Sequence, residues 1–302
     1  GMAAFTSQSC TDAGVTVTAE QSITDNYNSH ISFKVEGFQV EDGQQPDFGS
    51  ISVLVNGKDD LNLDAGFYDG IITGEDGMPV RAFDGSSALD ENGDMIYYYV
   101  QEDGSMEFDI NMNNYSEKGF FIGKDIQVEL KDLGTVDKAE FTRTLEGTWS
   151  FEWTLGGADT AKTYTLNQPL GDSGATIQTV EISPISVYAE YNFPIQKETI
   201  TGENEDGTTS ESTTFKEAPP LMGIKLKDGT VIKNMYMGGG MIGYQNNSSD
   251  DYVYAYATDR IIDPDQIAYF LFINDDAPIG EQGMTEDNFY EVAVGENQQG
   301  DR

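Results

Sequence analysis

The chain has 302 residues, with 53 acidic side chains against 16 basic ones and a formal net charge of −37. That length suits two domains of ordinary size, and the 38% hydrophobic content, with 16 Tyr and 16 Phe, is enough for packed cores and excludes global disorder. Acids outnumber bases in both halves, so no basic patch is in reserve for nucleic-acid phosphates or an anionic lipid surface, and neither is expected as a partner.

Period-two patterning dominates, which places alternate side chains on one face of a strand. In chain order, Ile31, Phe33 and Val35 alternate with Ser32, Lys34 and Glu36, and the apolar phase then jumps to Phe38 and Val40, as a bulge at Gly37 would produce. Ile51, Val53 and Val55 lead into Asn56-Gly57, a type I′ turn pair. Met106, Phe108, Ile110 and Met112 alternate in the same way, as do Ile126, Val128 and Leu130. Residues 136–146 are the best helical candidate and read as an interdomain connector. Trp149, Phe151, Trp153 and Leu155 form the next stripe, read as core rather than as a solvent-facing carbohydrate platform.

Further on, Ile185, Val187, Ala189 and Tyr191 alternate, as do Met222, Ile224 and Leu226, then Tyr252, Tyr254 and Tyr256. Residues 267–273 are almost continuously apolar, the pattern of a strand buried on both faces. Residues 201–217 read as a long mobile loop, residues 237–241 as a flexible glycine-rich hairpin loop, and the stretch after Asp275 as acidic and polar.

The order of segments 31–35, 51–57, 95–99 and 123–130 is faintly repeated by 185–189, 222–229, 251–255 and 264–271. The expectation is an all-β chain of two tandem immunoglobulin-like β-sandwich domains, with an internal duplication as one reading of the repeat. The N-terminal sandwich is placed at 1–137, the C-terminal one at 138–276, and an acidic polar tail at 277–302.

Chemistry is sparse. With one cysteine and one histidine, neither an internal disulfide nor a four-ligand Cys/His zinc site can form. His30 reads as an exposed strand-end residue, and no Gly-x-Ser-x-Gly elbow, Ser-x-x-Lys motif or phosphate-binding glycine loop accompanies it. With 53 acids some pair satisfies any glycosidase spacing, so that reading is neither supported nor excluded. Asp90, Asn92 and Asp94 offer oxygens at alternate positions, as a calcium loop does, but Met95 and Gln101 stand where Gly and Glu are needed. A hairpin turn at Asn92-Gly93 accounts for the same residues, and calcium there stays open. Cys10 lacks the aliphatic residue a lipoprotein cysteine carries three positions before it and reads as a lone thiol. No catalytic, cofactor-binding or metal-binding residue is assigned, no cofactor is expected, and the ligand-binding residues are unknown.

No run of about 18 apolar residues is present, so this segment is not expected to enter a membrane. Gly1-Met2 reads as a trimmed or expression-derived start without a signal peptide, and further residues are expected upstream.

A string of features in the second half carries a resemblance. Gly147-Thr-Trp-Ser-Phe151-Glu-Trp153 precedes Thr163-Tyr-Thr-Leu-Asn167, then a Ser183-Pro184 pair before a strand, and a closing Asp263-Pro-Asp265-Gln-Ile267. Near the start, Asp12-Ala-Gly14-Val-Thr-Val-Thr18, Asp25 and Ile31-Ser-Phe-Lys-Val35 fit the same pattern. Over most of 11–274 the chain resembles an uncharacterised extracytoplasmic domain family of Gram-positive bacteria. Its members form the ectodomain of anti-sigma-factor-like single-pass membrane proteins. The resemblance implies a non-catalytic sensor or regulatory domain at the cell surface, with a membrane anchor upstream and an unknown extracellular ligand or protein as partner. A cell-surface structural or adhesive module binding glycan or protein is the alternative. This chain departs from the family in its acidity and in lacking the anchor and the cytoplasmic part.

Overall fold

A computed structural model describes residues 3–41, 43–74, 77–246, 248–275 and 284–295. Among them every regular element is a β-strand except two single 3₁₀ turns, Pro264–Gln266 and Glu286–Asn288. The chain is all-β, built from several antiparallel sheets.

Ten strands belong to the first half: β1 (Ala3–Asp12), β2 (Val15–Thr24), β3 (Asn28–Glu36), β4 (Gln45–Val55), β5 (Asn62–Phe67), β6 (Ile71–Thr73), β7 (Pro79–Arg81), β8 (Met106–Asn113), β9 (Asp125–Asp137) and β10 (Glu140–Thr154). One sheet has the order β1-β2-β3-β8-β5 and the facing one β10-β9-β4. The alternation read from the sequence is what joins them. Ile31, Phe33 and Val35 of β3 and Phe108 and Ile110 of β8 are fully buried against Trp149 and Phe151 of β10. Phe33 meets Phe151 at 5.2 Å and Phe48 meets Phe108 edge-on at 4.8 Å, tying the two layers. Trp149 is wholly buried and its indole N–H donates to the Val15 carbonyl at 3.0 Å. Strands β6 and β7 form a small hairpin within an excursion, residues 68–105, that leaves the sandwich after β5 and returns at β8.

The second half contains β11 (Lys162–Pro169), β12 (Thr176–Ile182), β13 (Ser186–Asn192), β14 (Lys197–Glu203), β15 (Thr209–Phe215), β16 (Leu221–Leu226), β17 (Val231–Ile232), β18 (Tyr236–Tyr244), β19 (Asp251–Thr258), β20 (Ile267–Ile273) and β21 (Phe289–Ala293). Its sheets run β11-β12-β13-β19-β18 and β17-β16-β20-β21. Val187, Tyr191 and Tyr256 from one sheet pack on Leu221, Phe270 and Phe272 from the other, a separate core. The tyrosines bury their rings and keep their hydroxyls bonded. Tyr191 donates to the Pro219 carbonyl at 2.8 Å and Tyr256 to the Leu221 carbonyl at 2.6 Å. Strands β14 and β15 project as a two-stranded arm whose residues are all exposed.

The two halves route the chain in the same way. In each, three consecutive strands, β1–β3 or β11–β13, meander along one edge of the five-stranded sheet, and the chain then crosses to the facing sheet, at β4 in the first half and, after the β14–β15 arm, at β16 in the second. Two strands then complete the five-stranded sheet, β5 and β8 or β18 and β19, and the last two, β9 and β10 or β20 and β21, pair with each other in the facing sheet.

Several sequence expectations need correction. The first sandwich does not end at residue 137. Strand β10 pairs along β9 and carries Trp149, Phe151, Trp153 and Leu155 into the first core, so that core closes at Leu155. Residues 136–146 are therefore a β-hairpin rather than a helix. Lys138 and Ala139 sit at its tip with φ of 48° and 66°, the left-handed conformation a tight hairpin needs. Residues 201–217 lie largely in the β14–β15 arm, and residues 237–241 in β18. The region assigned to the tail includes β21, whose Phe289 and Val292 are buried; the rest of 277–302 lies mostly outside the described residues. Gly37 is not a bulge. Strand β3 stops at Glu36, and Gly37, at φ +90°, turns the chain where a Cβ would sit 2.6 Å from the Gly14 carbonyl oxygen. The pair Asn56-Gly57 does take positive φ at both residues, as its turn type requires. Of the four repeated segments, 95–99 is no strand; the strand that holds the place of β19 in the sheet order of the first half is β8.

Candidate functional site

Three polar or aromatic constellations stand out. The first is the seam between the sandwiches. The turn that joins β2 to β3 and the turn that joins β12 to β13 have the same hydrogen-bonded form, closed by Asp25 N–H to the Asn28 carbonyl and by Ser183 N–H to the Ser186 carbonyl. They meet face to face. One Asp25 carboxylate oxygen accepts the backbone N–H groups of Tyr27 and Asn28 at 2.8 and 2.7 Å, and the other accepts the hydroxyls of Ser183 and Ser186. Asp25 is thus buried with four donors, the condition under which a buried carboxylate is tolerable. Beside it the Tyr27 ring stacks on Tyr188 at 4.8 Å and on Tyr115 at 5.6 Å, and the Asn26 amide donates to Asp159 and Glu181. Burial, with Glu181 next in effect, pushes the Tyr27 hydroxyl's pKa well up.

A cavity of about 160 Å³ opens along this seam. Asn28, His30 and Met112 line it from the first sandwich, and Ile185, Ala257 and Arg260 from the second. Arg260 is fixed there. Its guanidinium is bidentate on Asp259 at 2.7 and 3.0 Å, and it also donates to the carbonyls of Thr73 and Asn234. Because Thr73 lies in β6, this one side chain ties the 68–105 excursion to the second sandwich.

The second constellation is the outward face of β3 and β8, where His30, Ser32 and Lys34 lie opposite Asn111, Asp109 and Glu107. His30 is not the exposed strand-end residue expected. It is half-buried, with Nδ1 on the Asn111 side-chain oxygen and Nε2 3.2 Å from the Ser32 hydroxyl. Ser32 in turn donates to Asp109 at 3.0 Å. A hydrolytic triad places the histidine between serine and carboxylate; here the serine stands in the middle with its proton committed to Asp109. Burial, and then the neighbouring Asp109 charge, raise the Glu107 carboxyl above the usual carboxylate range, and burial raises Asp109. Glu107 and Asp109 stand two positions apart on the same face of β8, which is why the charge of one bears on the ionisation of the other.

The third lies on the 68–105 excursion. A pocket of about 380 Å³ is lined by Tyr68, Phe83, Tyr98, Gln101, Glu102 and Asp103. Phe83 and Tyr98 stack at 5.4 Å yet remain 52% and 44% exposed, and the Arg81 guanidinium sits 5.3 Å from the Tyr98 ring centre. Met95 and Tyr97, on the same excursion, are exposed as well. Burial pushes the Tyr68 hydroxyl's pKa up to about 12, helped by Asp69 and Glu107.

Other residues singled out in the sequence stand apart from these. Asp90 accepts the backbone N–H groups of Asn92 and Asp94 with one oxygen, which closes a turn and holds its pKa down, and the single bridge Leu89–Met95 flanks it. Among the described residues no group of three His, Cys, Asp or Glu side chains is placed to hold a metal ion. No described helix is long and apolar enough to cross a membrane. Cys10 is half-buried on β1, beside the Thr148 carbonyl. The sequence reading missed Asp25, Asn28, Phe83, Tyr98 and Arg260 as site residues. Only Asp25 and the Ser183-Pro184 pair left a mark in it, as parts of the resemblance.

No family model matches the sequence, and no curated protein matches it. Among solved structures, the crystal structure of the conserved domain protein from Bacillus anthracis is similar, at 13% identity over 91% of this chain and 80% of that one, with a TM-score of 0.42. A likeness that distant transfers neither fold nor function.

Proposed function

We propose that this chain is the non-catalytic, extracytoplasmic ligand-binding part of a sensor or regulator of the anti-sigma-factor-like kind, and that it meets its ligand at the aromatic pocket on the 68–105 excursion. The carrying observation is the exposed Phe83–Tyr98 stack over a concave surface furnished with Gln101, Glu102 and Asp103. A soluble domain rarely leaves stacked aromatics half in water without a partner, and rings flanked by amide and carboxylate groups suit a flat-faced polyol or a peptide. At −37 the chain repels polyanions, so a neutral glycan fits better than an acidic one.

The sensor reading is favoured over the adhesive alternative by Arg260, which links Thr73 of the same excursion to the second sandwich. A ligand that moves the excursion would therefore pull on both halves. The matched chain routing and the paired Asp25 and Ser183 turns support two immunoglobulin-like sandwiches that arose by internal duplication. We place a membrane anchor upstream of this segment on the resemblance alone.

Calorimetric titration with neutral and acidic cell-wall oligosaccharides tests the site. Neutral oligosaccharides should bind, and Phe83→Ala and Tyr98→Ala should each weaken binding at least tenfold with unchanged melting temperature. Binding that both variants retain would move the site elsewhere and end this reading. Hydrogen exchange separates the two roles. Slower exchange at Tyr27 and Asn28 on binding supports the sensor, and protection confined to 68–105 supports the adhesive module.

A further inference from the structure

The β14–β15 arm presents a free strand edge. Its register runs without a bulge from Lys197 opposite Phe215 to Glu203 opposite Thr209, and every residue of both strands is exposed. A two-stranded ribbon with no buried face adds little stability; what it offers to a partner is backbone.

The phase of its hydrogen bonds shows which backbone groups are free. The Asn204 N–H donates to the Thr208 carbonyl at 2.7 Å at the tip, and the Lys216 N–H donates to the Gln196 carbonyl at 2.9 Å at the root. Bonded and non-bonded pairs alternate along an antiparallel ladder, so the even-numbered residues between these ends bond across the ribbon. The N–H and carbonyl groups of Thr209, Glu211 and Thr213 therefore point away from β14, on an edge that pairs with no other described strand. Natural sheets guard such edges with Lys, Pro or a bulge. Strand β14 opens with Lys197, whereas β15 has none of the three.

Charge selects the occupant. Between Lys197 and Lys216 the arm carries Glu198, Glu203, Glu205, Asp206 and Glu211 and no base. Pairing β15 with its copy about Glu211 would set like charges opposite each other, between two chains of −37 each. A strand with Lys or Arg opposite Glu211 gains an attractive pair instead. Phe215 lies on the same face as Glu211 and stays 52% exposed although its ring meets Tyr244 at 6.0 Å, so it can take an apolar side chain from the same strand.

We propose that the outer edge of β15 docks an extended, basic segment of a partner protein as a third strand of the arm, with Lys or Arg opposite Glu211 and an apolar residue opposite Phe215. This surface is separate from the aromatic pocket and does not depend on it.

The test is an NMR titration of the full chain with the peptide Val-Thr-Thr-Thr-Lys-Thr-Thr-Thr-Val, which fits the edge in either direction. Two analogues accompany it, one with Glu in place of Lys and one with Pro two residues to each side of the Lys. The first peptide should give saturable shifts at the amides of Thr209, Glu211 and Thr213, and both analogues should bind roughly tenfold more weakly. Thr213→Pro removes one outward N–H and leaves the ladder to β14 intact, so it should weaken binding to a similar degree. Glu211→Gln should erase the difference between the Lys and Glu peptides. Equal binding by the Pro analogue would leave charge without strand pairing, and equal binding by the Glu analogue would remove the charge selection; either overturns the proposal. So do shifts centred on Thr199 and Thr201, absence of saturable binding, or self-association through the same amides, which would make a second copy the occupant. Should Thr213→Pro unfold the arm, the three peptides on the native chain still decide.

Discussion

Asp25 and Ser183 occupy the same position in two turns of the same form, one in each sandwich, and each completes the other's hydrogen bonding. The carboxylate organises its own turn through the Tyr27 and Asn28 amides, while the Ser183 hydroxyl accepts the Ile185 and Ser186 amides of its turn and gives its proton to Asp25. The contact between domains is therefore made by groups that also shape each domain.

Asp25→Ala should accordingly be severe. It strands four donors in a buried seam, and a loss of about 3–5 kcal/mol is expected in denaturant unfolding. Ser183→Ala and Ser186→Ala should each cost about 1 kcal/mol, and their sum should differ from the double variant, because both hydroxyls share one oxygen. Additive losses would show that the two serines act separately.

The position of β10 gives a test of the domain boundary. A fragment ending at residue 156 retains Trp149, Phe151 and Trp153 in the first core and should fold with dispersed NMR shifts and a cooperative melt. A fragment ending at 137 lacks all three and leaves β9 as a bare edge, so it should aggregate or remain unfolded. A folded 1–137 fragment would refute the assignment of β10 to the first sandwich.

Within the whole chain, Trp149→Ala should cost about 3–5 kcal/mol. The ring is fully buried, contacts Phe48 at 5.8 Å, and donates to the Val15 carbonyl. A loss below about 1 kcal/mol, read from the urea midpoint, would mean that the facing sheets do not depend on it.

The raised Glu107 carboxyl makes a pH prediction with a definite sign. Folding favours its protonated form, because burial and the Asp109 charge oppose ionisation. Its contribution to stability is complete below the unfolded carboxyl pKa of 4.5 and is lost as pH rises through the higher folded value. Glu107→Gln removes that ionisation, so the variant should gain on the order of 1 kcal/mol relative to the parent at neutral to mildly alkaline pH, with little gain in acid. Parallel stability curves for the two proteins would show that Glu107 ionises in the fold without penalty.

Much of the sheet structure was legible in residue order. Alternation at Ile31, Phe33 and Val35, or at Met106, Phe108 and Ile110, encodes a strand with one buried face, since side chains on a strand have period two whatever lies opposite. The Trp149 stripe was legible as core for the same reason, and Asn56-Gly57 as a turn because few residue pairs tolerate two positive φ values. The arm at β14–β15 was hidden because strands exposed on both faces have no apolar alternation to betray them. Residues 136–146 misled because a hairpin tip interrupts the period.

By itself, then, the sequence determined the all-β class, the two cores and the surplus of negative charge, because these follow from local periodicity and composition. Only the tertiary structure decided which sandwich owns the Trp149 strand, how Asp25 meets Ser183 from 158 residues away, and how Arg260 reaches Thr73. Those are relations between distant residues, set by how sheets pair and pack, and no short-range pattern carries them.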